Sequence, residues 1–407
     1  MRTAAAILPV AAALMWAASA QAAAAPDYAR VAGGRYQAIL ADCMGCHTAP
    51  GGRPFAGGVV LETPFGRLTA PNITPDDATG IGTWTEEEFR RAVKSGIAPG
   101  GRRLYPAMPY PAYVRMRDAD VGDLWAYLQT VNPVRNRVRV NLLPFPYNIR
   151  GLMAGWNWLF FKPAAPASQP GKSAIWLRGE YLVNGPGHCG ACHSPKNLFG
   201  ADKAAALTGA SLQGWFAPDI TAQARRGIGS WRASELVTYL KSGHNGHSMA
   251  TGPMAEVIEN STSQMSDADL TAIAAYLKDV PGDPASPRPL DAGEARMKAG
   301  AATYEDNCRS CHNPGGGGQS VIFPPLAANP VVQQAGADTL IRVVLAGTQA
   351  AQTARAPTAA AMPSFAWRLN DAEIADVLTY IRNSWGNAAG PVSRDAVARS
   401  RANLRRR

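Results

Sequence analysis

The sequence predicts a mainly α-helical protein made of three tandem copies of one small domain. All six cysteines fall in three copies of a single motif, a similar helical pattern closes each copy, and further segments are shared by the first two copies. A chain of 407 residues is also long for one hydrophobic core. The expected domains are residues 26–135, 173–283 and 290–387, with a linker at 136–172.

The shared motif is Cys-x-x-Cys-His, the attachment site of haem c. Its two thiols add to the vinyl groups of one porphyrin, and the histidine becomes the proximal ligand of the iron. Three copies therefore predict three covalently bound haem c groups. The attachment residues are Cys43, Cys46, Cys189, Cys192, Cys308 and Cys311, and the proximal histidines are His47, His193 and His312.

Other uses of paired cysteines fit this pattern less well. Disulfides are common in exported proteins, but they have no use for a histidine after the second cysteine in every copy. Zinc knuckles usually place the histidine farther away. A redox Cys-x-x-Cys normally occurs once, on a βαβ pattern that we do not find in this sequence.

A helical pattern closes each copy. Residues 118–128, 267–277 and 371–381 begin with acidic residues and carry apolar residues at steps of three and four. Their tyrosines, Tyr127, Tyr276 and Tyr380, are expected to pack where this closing helix crosses the opening one. Such an arrangement resembles the class I cytochrome c fold, in which a helix leads into the haem motif and a final helix crosses it.

The first two copies also match in the middle. Residues 70–74 resemble 217–221, and residues 80–84 resemble 227–231. Pro71 and Pro218 lie in these segments and are candidates to orient the proximal histidines through their carbonyl groups. The third copy clearly keeps only its first and last helices, with a glycine run at 315–318 between them.

Each iron also needs a sixth ligand, and methionines at a recurring place are the candidates. Met108 and Met254 each follow their proximal histidine by 61 residues, and Met362 follows His312 by 50. Class I cytochromes place the distal thioether in a proline-braced loop like these. The alternative is that these methionines pack in the core, as most methionines do.

The second copy offers further candidates for this ligand, namely His244, His247 and Met249. Alignment on the Lys-Ser-Gly triplets favours Met254, which lies eleven residues after Gly243, because Met108 lies twelve after Gly96. The two histidines are interpreted as exposed loop or interface residues. His188, next to Cys189, has no evident role in the sequence.

Histidine–methionine ligation fills both axial positions and suits an electron carrier. No dinucleotide fingerprint, nucleophile elbow or metal-binding carboxylate cluster is found, so no catalytic residues are predicted.

The two ends of the chain suggest where the protein works. Residues 1–25 resemble a secretory signal, with Arg2 before an apolar stretch and small residues at the cleavage region. A buried helix and an uncleaved anchor are the alternatives. The tail at 388–407 holds six arginines and one aspartate, out of a net charge of +10. It fits an anionic lipid surface or an acidic partner, or else is a disordered, solvated terminus; nucleic acid is not an expected partner of an exported protein.

The linker is rich in aromatic residues, especially between 142 and 161. This composition suggests a docking surface or an interfacial contact with a membrane. The alternative is a linker that tucks across its own domains. It is too short to span a bilayer.

Several stretches together resemble the membrane-bound, three-haem cytochrome c subunits of periplasmic gluconate, alcohol, sorbitol and aldehyde dehydrogenases. They are Leu-Tyr-Pro-Ala-Met-Pro-Tyr-Pro at 104–111, the segments 187–195 and 252–257, and the aromatic linker. The resemblance covers roughly residues 30–386. It departs at the end of the chain, where many members have an apolar segment and this chain has the arginine-rich tail.

The resemblance implies a separate catalytic dehydrogenase subunit that oxidises a substrate with a flavin, quinone or molybdenum cofactor. This chain would take the electrons and pass them to ubiquinone or a terminal oxidase, on the periplasmic side of the bacterial inner membrane. Attachment there through the tail or the linker is a hypothesis. The alternatives are an independent periplasmic carrier and a self-sufficient haem enzyme such as a peroxidase.

Overall fold

Three helical units follow one another along the chain, each with the same order of main elements. This computed structural model describes residues 27–163, 169–284, 287–319 and 321–405. The expected signal peptide at 1–25 lies outside the described residues, as do Arg406 and Arg407 of the tail.

The first unit contains α1 (Tyr28–Leu40), α2 (Cys43–His47), β1 (Val60–Thr63), β2 (Gly66–Thr69), α3 (Glu86–Ser95), β3 (Ile97–Ala98), β4 (Arg102–Arg103), α4 (Tyr110–Tyr113) and α5 (Asp118–Leu128). The linker contains β5 (Asn141–Leu142) and α6 (Met153–Phe160). The second unit contains α7 (Ala174–Asn184), α8 (Gly190–His193), β6 (Ala210–Leu212), β7 (Trp215–Ala217), α9 (Ala233–Ser242), α10 (Pro253–Asn260) and α11 (Asp267–Leu277). The third unit contains α12 (Ala295–Asn307), α13 (Arg309–His312), α14 (Asp338–Ala346), β8 (Thr348–Gln349), β9 (Ala361–Met362), α15 (Asp371–Ile381) and α16 (Arg394–Arg405).

In every unit the opening helix crosses the closing helix at a glycine. A Cβ on Gly34 would lie 1.8 Å from the carbonyl oxygen of Asp123, and the corresponding distances are 1.9 Å at Gly179 and 2.2 Å at Gly300. The three tyrosines predicted at this crossing are there, since the same Cβ atoms would lie 2.7–2.8 Å from the Cβ atoms of Tyr127, Tyr276 and Tyr380. Only glycine lets the two backbones approach this closely.

A short antiparallel pair follows the middle helix in each unit. Ile97 pairs with Arg103 in the first, His244 with Met249 in the second and Thr348 with Met362 in the third. The third unit therefore keeps its middle helix, α14, and the pair after it. The sequence analysis expected only the first and last helices of the third unit to be clearly kept. It missed the middle helix and the pair because the segments before and after α14 differ in length from those of the other two units.

Larger hairpins precede the middle helix in the first two units. Strand β1 pairs with β2, and the linker strand β5 extends this hairpin on the other side of β2. Strands β6 and β7 form the corresponding hairpin of the second unit. The helical packing nevertheless dominates each core, as the sequence predicts.

The first two units are joined by reciprocal contacts between equivalent residues. Tyr36, two residues after the crossing glycine of α1, donates to Asp269 Oδ2 at 2.7 Å. Tyr181, two residues after the crossing glycine of α7, donates in return to Asp120. Both aspartates lie in the first turn of a closing helix. Leu40 of α1 is 1% exposed within the core of the second unit, so these two units form a pseudo-symmetric pair.

The third unit joins the second through different surfaces. The backbone of Phe216 in β7 exchanges hydrogen bonds of 2.8 and 3.0 Å with the hydroxyl of Thr339 in α14. Arg342 of α14 lies over the ring of Trp215 at 4.8 Å. The third unit has Ala302 at the position equivalent to Tyr36 and Tyr181. The second unit therefore contacts the first and the third units through two different kinds of interface.

The arginine-rich tail is not a disordered terminus over its described part. Helix α16 packs on the third unit, where Val397 is fully buried. Arg401 donates to Asp371 Oδ1 at 2.7 Å and to the carbonyl oxygens of Ala366 and Leu369 at 2.7 and 2.8 Å. These contacts correct the reading of residues 394–405 as a solvated tail. Within the described ranges, no helix is long and apolar enough to cross a membrane.

Candidate haem sites

Each Cys-x-x-Cys-His motif lies at a short helix directly after the opening helix. Asp42 and His188, which precede the first cysteine of two motifs, have positive φ values of 44° and 35°. This left-handed step turns the chain sharply, so the motif helix starts in a new direction. Both cysteines and the histidine then lie within about 1.5 helical turns of one another. All six thiols are free.

Each proximal histidine is held through Nδ1 by a backbone carbonyl. His47 contacts the carbonyl oxygen of Pro71 at 2.7 Å, and His193 contacts that of Pro218 at 2.7 Å, as predicted. His312 contacts the carbonyl oxygen of Pro324 at 3.1 Å, a partner the sequence analysis missed because the repeat is weak there. A carbonyl can only accept, so Nδ1 carries the proton and Nε2 keeps its lone pair for a metal.

The segments that supply these carbonyls have a fixed shape. Asn72 Oδ1 accepts from the backbone N–H and the hydroxyl of Thr74 at 2.9 and 2.8 Å. Asp219 Oδ1 accepts from the same two groups of Thr221 at 2.8 and 2.6 Å. An Asn or Asp that bonds two residues ahead stabilises a turn. The repeated sequence at 70–74 and 217–221 therefore fixes the orientation of the proximal imidazole.

Electrostatics keep the ligand atoms neutral. Burial lowers the pKa of His47, His193 and His312, and the carbonyl hydrogen bond offsets this only in part. Burial raises the pKa of Cys43 and Cys189 to about 12 and that of Cys308 to about 11. Among the described residues, no group of three or more His, Cys, Asp or Glu side chains could hold a metal ion.

Met108 lies in a loop that the linker holds down. The hydroxyl of Tyr105 donates to the carbonyl of Tyr147 at 2.9 Å, and that of Tyr110 donates to Asn157 Oδ1 at 2.6 Å. Met108 and Cys43 both border the core of the first unit. The linker is thus tucked against its own domains on one side, as one of the two sequence interpretations expected. The sequence analysis did not predict that the linker packs against the loop that carries Met108.

In the second unit, Met254 occupies the place equivalent to Met108. Met249 pairs with His244 directly after the middle helix, as Arg103 pairs with Ile97, and Met254 and Met108 each come five residues later. Met254 borders the same core as Cys189. His247 stacks on Trp231 and contacts Glu235 at 3.2 Å, so its ring is engaged inside its own unit rather than exposed.

In the third unit, Met362 lies on β9 opposite Thr348 and is half-buried. It does not belong to the apolar core that Cys308 borders. The assignment of Met108, Met254 and Met362 as distal ligands stays a prediction.

Two of the attachment motifs lie side by side at the interface of the first two units. His188 Nε2 is 3.3 Å from the carbonyl oxygen of Ala41, and its ring packs edge-on against Tyr113 at 5.5 Å. Burial, followed by the charge of Asp42, raises the pKa of Cys46 to about 11. Burial raises the pKa of Cys192 in the other unit, and the same carboxylate adds to this rise. His188, which had no evident role in the sequence, thus fills the junction between two motifs.

The residues present fit haem c. Each unit offers two free thiols and one imidazole with Nε2 available, the donor set that covalent haem attachment requires. In the second unit, Trp231 Nε1 is buried and has no hydrogen-bond partner among the described residues. Such a donor suits a buried carboxylate of a porphyrin, because an unpaired N–H in a core is costly.

Comparison with known proteins finds one family at three places along the chain. The family model for cytochrome c matches residues 32–132, 178–281 and 297–385. The chain is 39% identical to the cytochrome c subunit of gluconate 2-dehydrogenase from Pantoea cypripedii, over 88% of this chain and 86% of that protein. It is 39% identical to the cytochrome c subunit of quinone-dependent alcohol dehydrogenase from Gluconobacter oxydans, over 92% and 83%. It is 38% identical to the fructose dehydrogenase cytochrome subunit from Gluconobacter japonicus, over 91% and 82%.

Proposed function

This chain belongs to the cytochrome c family, and we propose that it is the three-haem electron-transfer subunit of a periplasmic dehydrogenase. It takes electrons from a separate catalytic subunit and passes them to ubiquinone or a terminal oxidase. The observation that carries this proposal is the threefold recurrence of a cysteine pair with a histidine whose Nδ1 is bound to a backbone carbonyl.

The role of each residue follows from that recurrence. Cys43 and Cys46, with their counterparts at 189, 192, 308 and 311, would hold the haem groups covalently. When bound, haem supplies a one-electron iron couple. The carbonyls of Pro71, Pro218 and Pro324 orient the histidines before any ligand is bound, and Met108, Met254 and Met362 would fill the remaining axial position. A site with both axial positions held by the protein changes little between oxidation states, which suits a carrier.

The relatives support a dehydrogenase partner. Their names assign them to gluconate, alcohol and fructose dehydrogenases, and this chain covers 82–86% of the length of these three. The partner would therefore oxidise an alcohol or a sugar derivative. Location on the periplasmic side of the inner membrane is part of the proposal, and the signal-like start of the sequence supports it.

The test is to purify the tagged full-length protein from detergent-treated membranes and to record its haem spectrum during additions of gluconate, ethanol, an aldehyde, sorbitol and fructose. We expect a larger flavin-, quinone- or molybdenum-bearing chain to co-purify and one substrate to reduce the haems. Ascorbate defines full reduction, and heat-treated material is the control. A chain that emerges alone and is reduced by no substrate would contradict the proposal and favour an independent carrier. A high-spin iron that binds peroxide would favour a haem enzyme.

A further inference from the structure

Exposed apolar side chains are concentrated on the outside of the linker. Of the sixteen large apolar side chains that are exposed in the described residues, eight lie in the linker or in the adjoining turn of the second unit. We name these eight residues the linker patch. They are Phe145, Tyr147, Ile149, Leu152, Trp158, Leu159, Leu198 and Phe199.

Helix α6 at the centre of the patch is apolar except for Asn157, but it packs on one side only. Its inner side contacts Tyr110 of the first unit through Trp156, with ring centroids 6.4 Å apart, and Phe199 of the second unit through Phe160, at 5.7 Å. Its outer side carries Trp158 and Leu159, which are 84% and 56% exposed. A helix whose second apolar face meets solvent normally has a partner for that face.

The separate parts of the patch are joined into one surface. Phe65, in the turn between β1 and β2, lies 5.1 Å from the ring of Tyr147. Its ring also lies 3.1 Å from where a Cβ on Gly200 would be, beside the Leu198–Phe199 turn. Trp156 Nε1 donates to the carbonyl of Phe199 at 2.9 Å, which ties α6 to the same turn. Ring contacts and a hydrogen bond therefore join the parts of the patch into one surface.

The charge around the patch is mainly positive, and the exposed Asp202 beside the Leu198–Phe199 turn is paired with Lys196. Residues 124–179 contain seven lysines and arginines and no aspartate or glutamate. Near the patch, Arg102, Lys162 and Lys203 are exposed, and none of them forms an ion pair within the part of the chain that the structure describes. Apolar side chains surrounded by unpaired cations match an anionic phospholipid surface, where tryptophan and leucine enter the headgroup region and lysine and arginine stay outside it.

We propose that the linker patch is an interfacial membrane-binding surface that seats the protein on an anionic bilayer, with α6 lying in the plane of the headgroups. The outer face of α6 offers glycine, leucine and tryptophan but few hydrogen-bonding groups, which suits the boundary between the headgroups and acyl chains of a bilayer. A Cβ on Gly155 would meet nothing within 4 Å, so the helix can approach a flat surface closely. This membrane contact does not involve helix α16, because α16 packs on the third unit.

The test is flotation of the mature holoprotein with vesicles of phosphatidylethanolamine and phosphatidylglycerol, with phosphatidylcholine vesicles for comparison. We expect binding to the anionic vesicles that weakens with salt, and tryptophan quenching by brominated lipids. In the double variant W158A/L159S, binding should fall roughly tenfold or more because two large apolar groups no longer enter the interface. Trp367→Ala, which removes an indole that is 79% exposed on the third unit, is the matched control and should bind like the wild type.

Haem absorbance shows that each variant is folded and loaded. Wild-type protein that ignores anionic vesicles would overturn the proposal, as would a double variant that binds them as well as the wild type. If the double variant keeps vesicle binding but loses the co-purifying dehydrogenase, the patch is a protein interface and the proposal is wrong. Because flotation needs neither substrate nor partner, its failure is distinct from failure of the proposed electron-transfer role.

Discussion

At the scale of single residues, what distinguishes the candidate ligands is the set of contacts that each side chain already has. The proximal histidines have Nδ1 committed to a carbonyl, which leaves one nitrogen for iron. His247 has a ring face on Trp231 and a contact to Glu235, so it is used for structure. Met249 and Met254 differ in their positions. Met249 pairs with His244 directly after the middle helix, and only Met254 lies at the place equivalent to Met108.

Replacing Met254 by alanine should open one axial position in the second unit. The ferric protein should then show a high-spin signal from one haem in three and bind cyanide or carbon monoxide. Met254→His should instead keep six ligands and lower one reduction potential on the order of 0.1 V, since axial ligands set haem potentials over about 0.8 V. Electron paramagnetic resonance and redox titration measure these effects. Met249→Ala is the control, and a high-spin signal in that variant would move the ligand assignment to Met249.

Asp269 is a second residue whose contacts lead to a testable prediction. Burial alone would raise the pKa of this carboxyl, but hydrogen bonds from Arg178 and Tyr36 lower it below its ordinary value of 3.8. Its contribution to stability is therefore present above the unfolded pKa and is lost as the pH falls through the folded one. Above pH 5, Asp269→Ala should cost on the order of 2 kcal/mol, because charged hydrogen-bond partners are left unpaired.

That cost should shrink as the pH falls below the ordinary carboxyl pKa of 3.8, because the wild-type carboxyl itself becomes protonated. Urea unfolding at several pH values, followed by circular dichroism, measures it. Asp267→Asn, two residues earlier with a side chain that is 63% exposed, should change stability far less. An equal loss in both variants, or a loss independent of pH, would show that the carboxylate of Asp269 does not stabilise the interface.

At the scale of elements, one helix crossing recurs three times and depends on one glycine each time. The sequence predicted the closing helices and the tyrosines on them, since their periodicity is local. It did not predict the glycines, because a close approach of two backbones is a contact between distant segments. The same limit applies to α14 and α16. Val397 and Arg401 stabilise α16 through the third unit, whereas the run of arginines by itself suggested a lipid surface, an acidic partner or a disordered terminus.

Alanine at any of the three crossing glycines should force the helices apart. We expect Gly34→Ala, Gly179→Ala and Gly300→Ala each to cost about 3 kcal/mol, since overpacking usually costs 1–3 kcal/mol and here the clash is with backbone. Denaturant unfolding of the holoproteins measures this. Gly155→Ala in α6 is the matched control and should be neutral or slightly stabilising, because its Cβ meets nothing and alanine favours helix. Crossing variants as stable as the control would contradict the close approach.

At the scale of the whole molecule, three similar units are assembled in two different ways. The first pair uses the reciprocal tyrosine–aspartate contacts, and the third unit is joined through α14 and β7. The sequence repeats predicted the number of units and most of each haem site. They did not predict the arrangement, because Tyr36 and Tyr181 lie outside the matched segments and their partners are 233 and 61 residues away, respectively.

Removing both tyrosine hydroxyls should loosen the first pair without unfolding either unit. Tyr36→Phe with Tyr181→Phe should cost about 3 kcal/mol, at about 1.5 kcal/mol for each hydrogen bond to a carboxylate. Hydrogen exchange should rise at the interface, in α1 and α7, and stay unchanged in α14. Tyr28→Phe, whose ring is 79% exposed, is the control. No change in exchange or stability would mean that the apolar contacts around Leu40 hold the pair alone.

The count of haems per chain tests the central claim most directly. Intact mass spectrometry of the mature protein, with a pyridine haemochrome assay on the same sample, gives that count. We predict three covalently bound haems, and a loss of one in each of the variants H47A/C46A, H193A/C192A and H312A/C311A. A mature chain with two haems or fewer, or a motif variant that retains all three, would contradict the account of three equivalent haem sites.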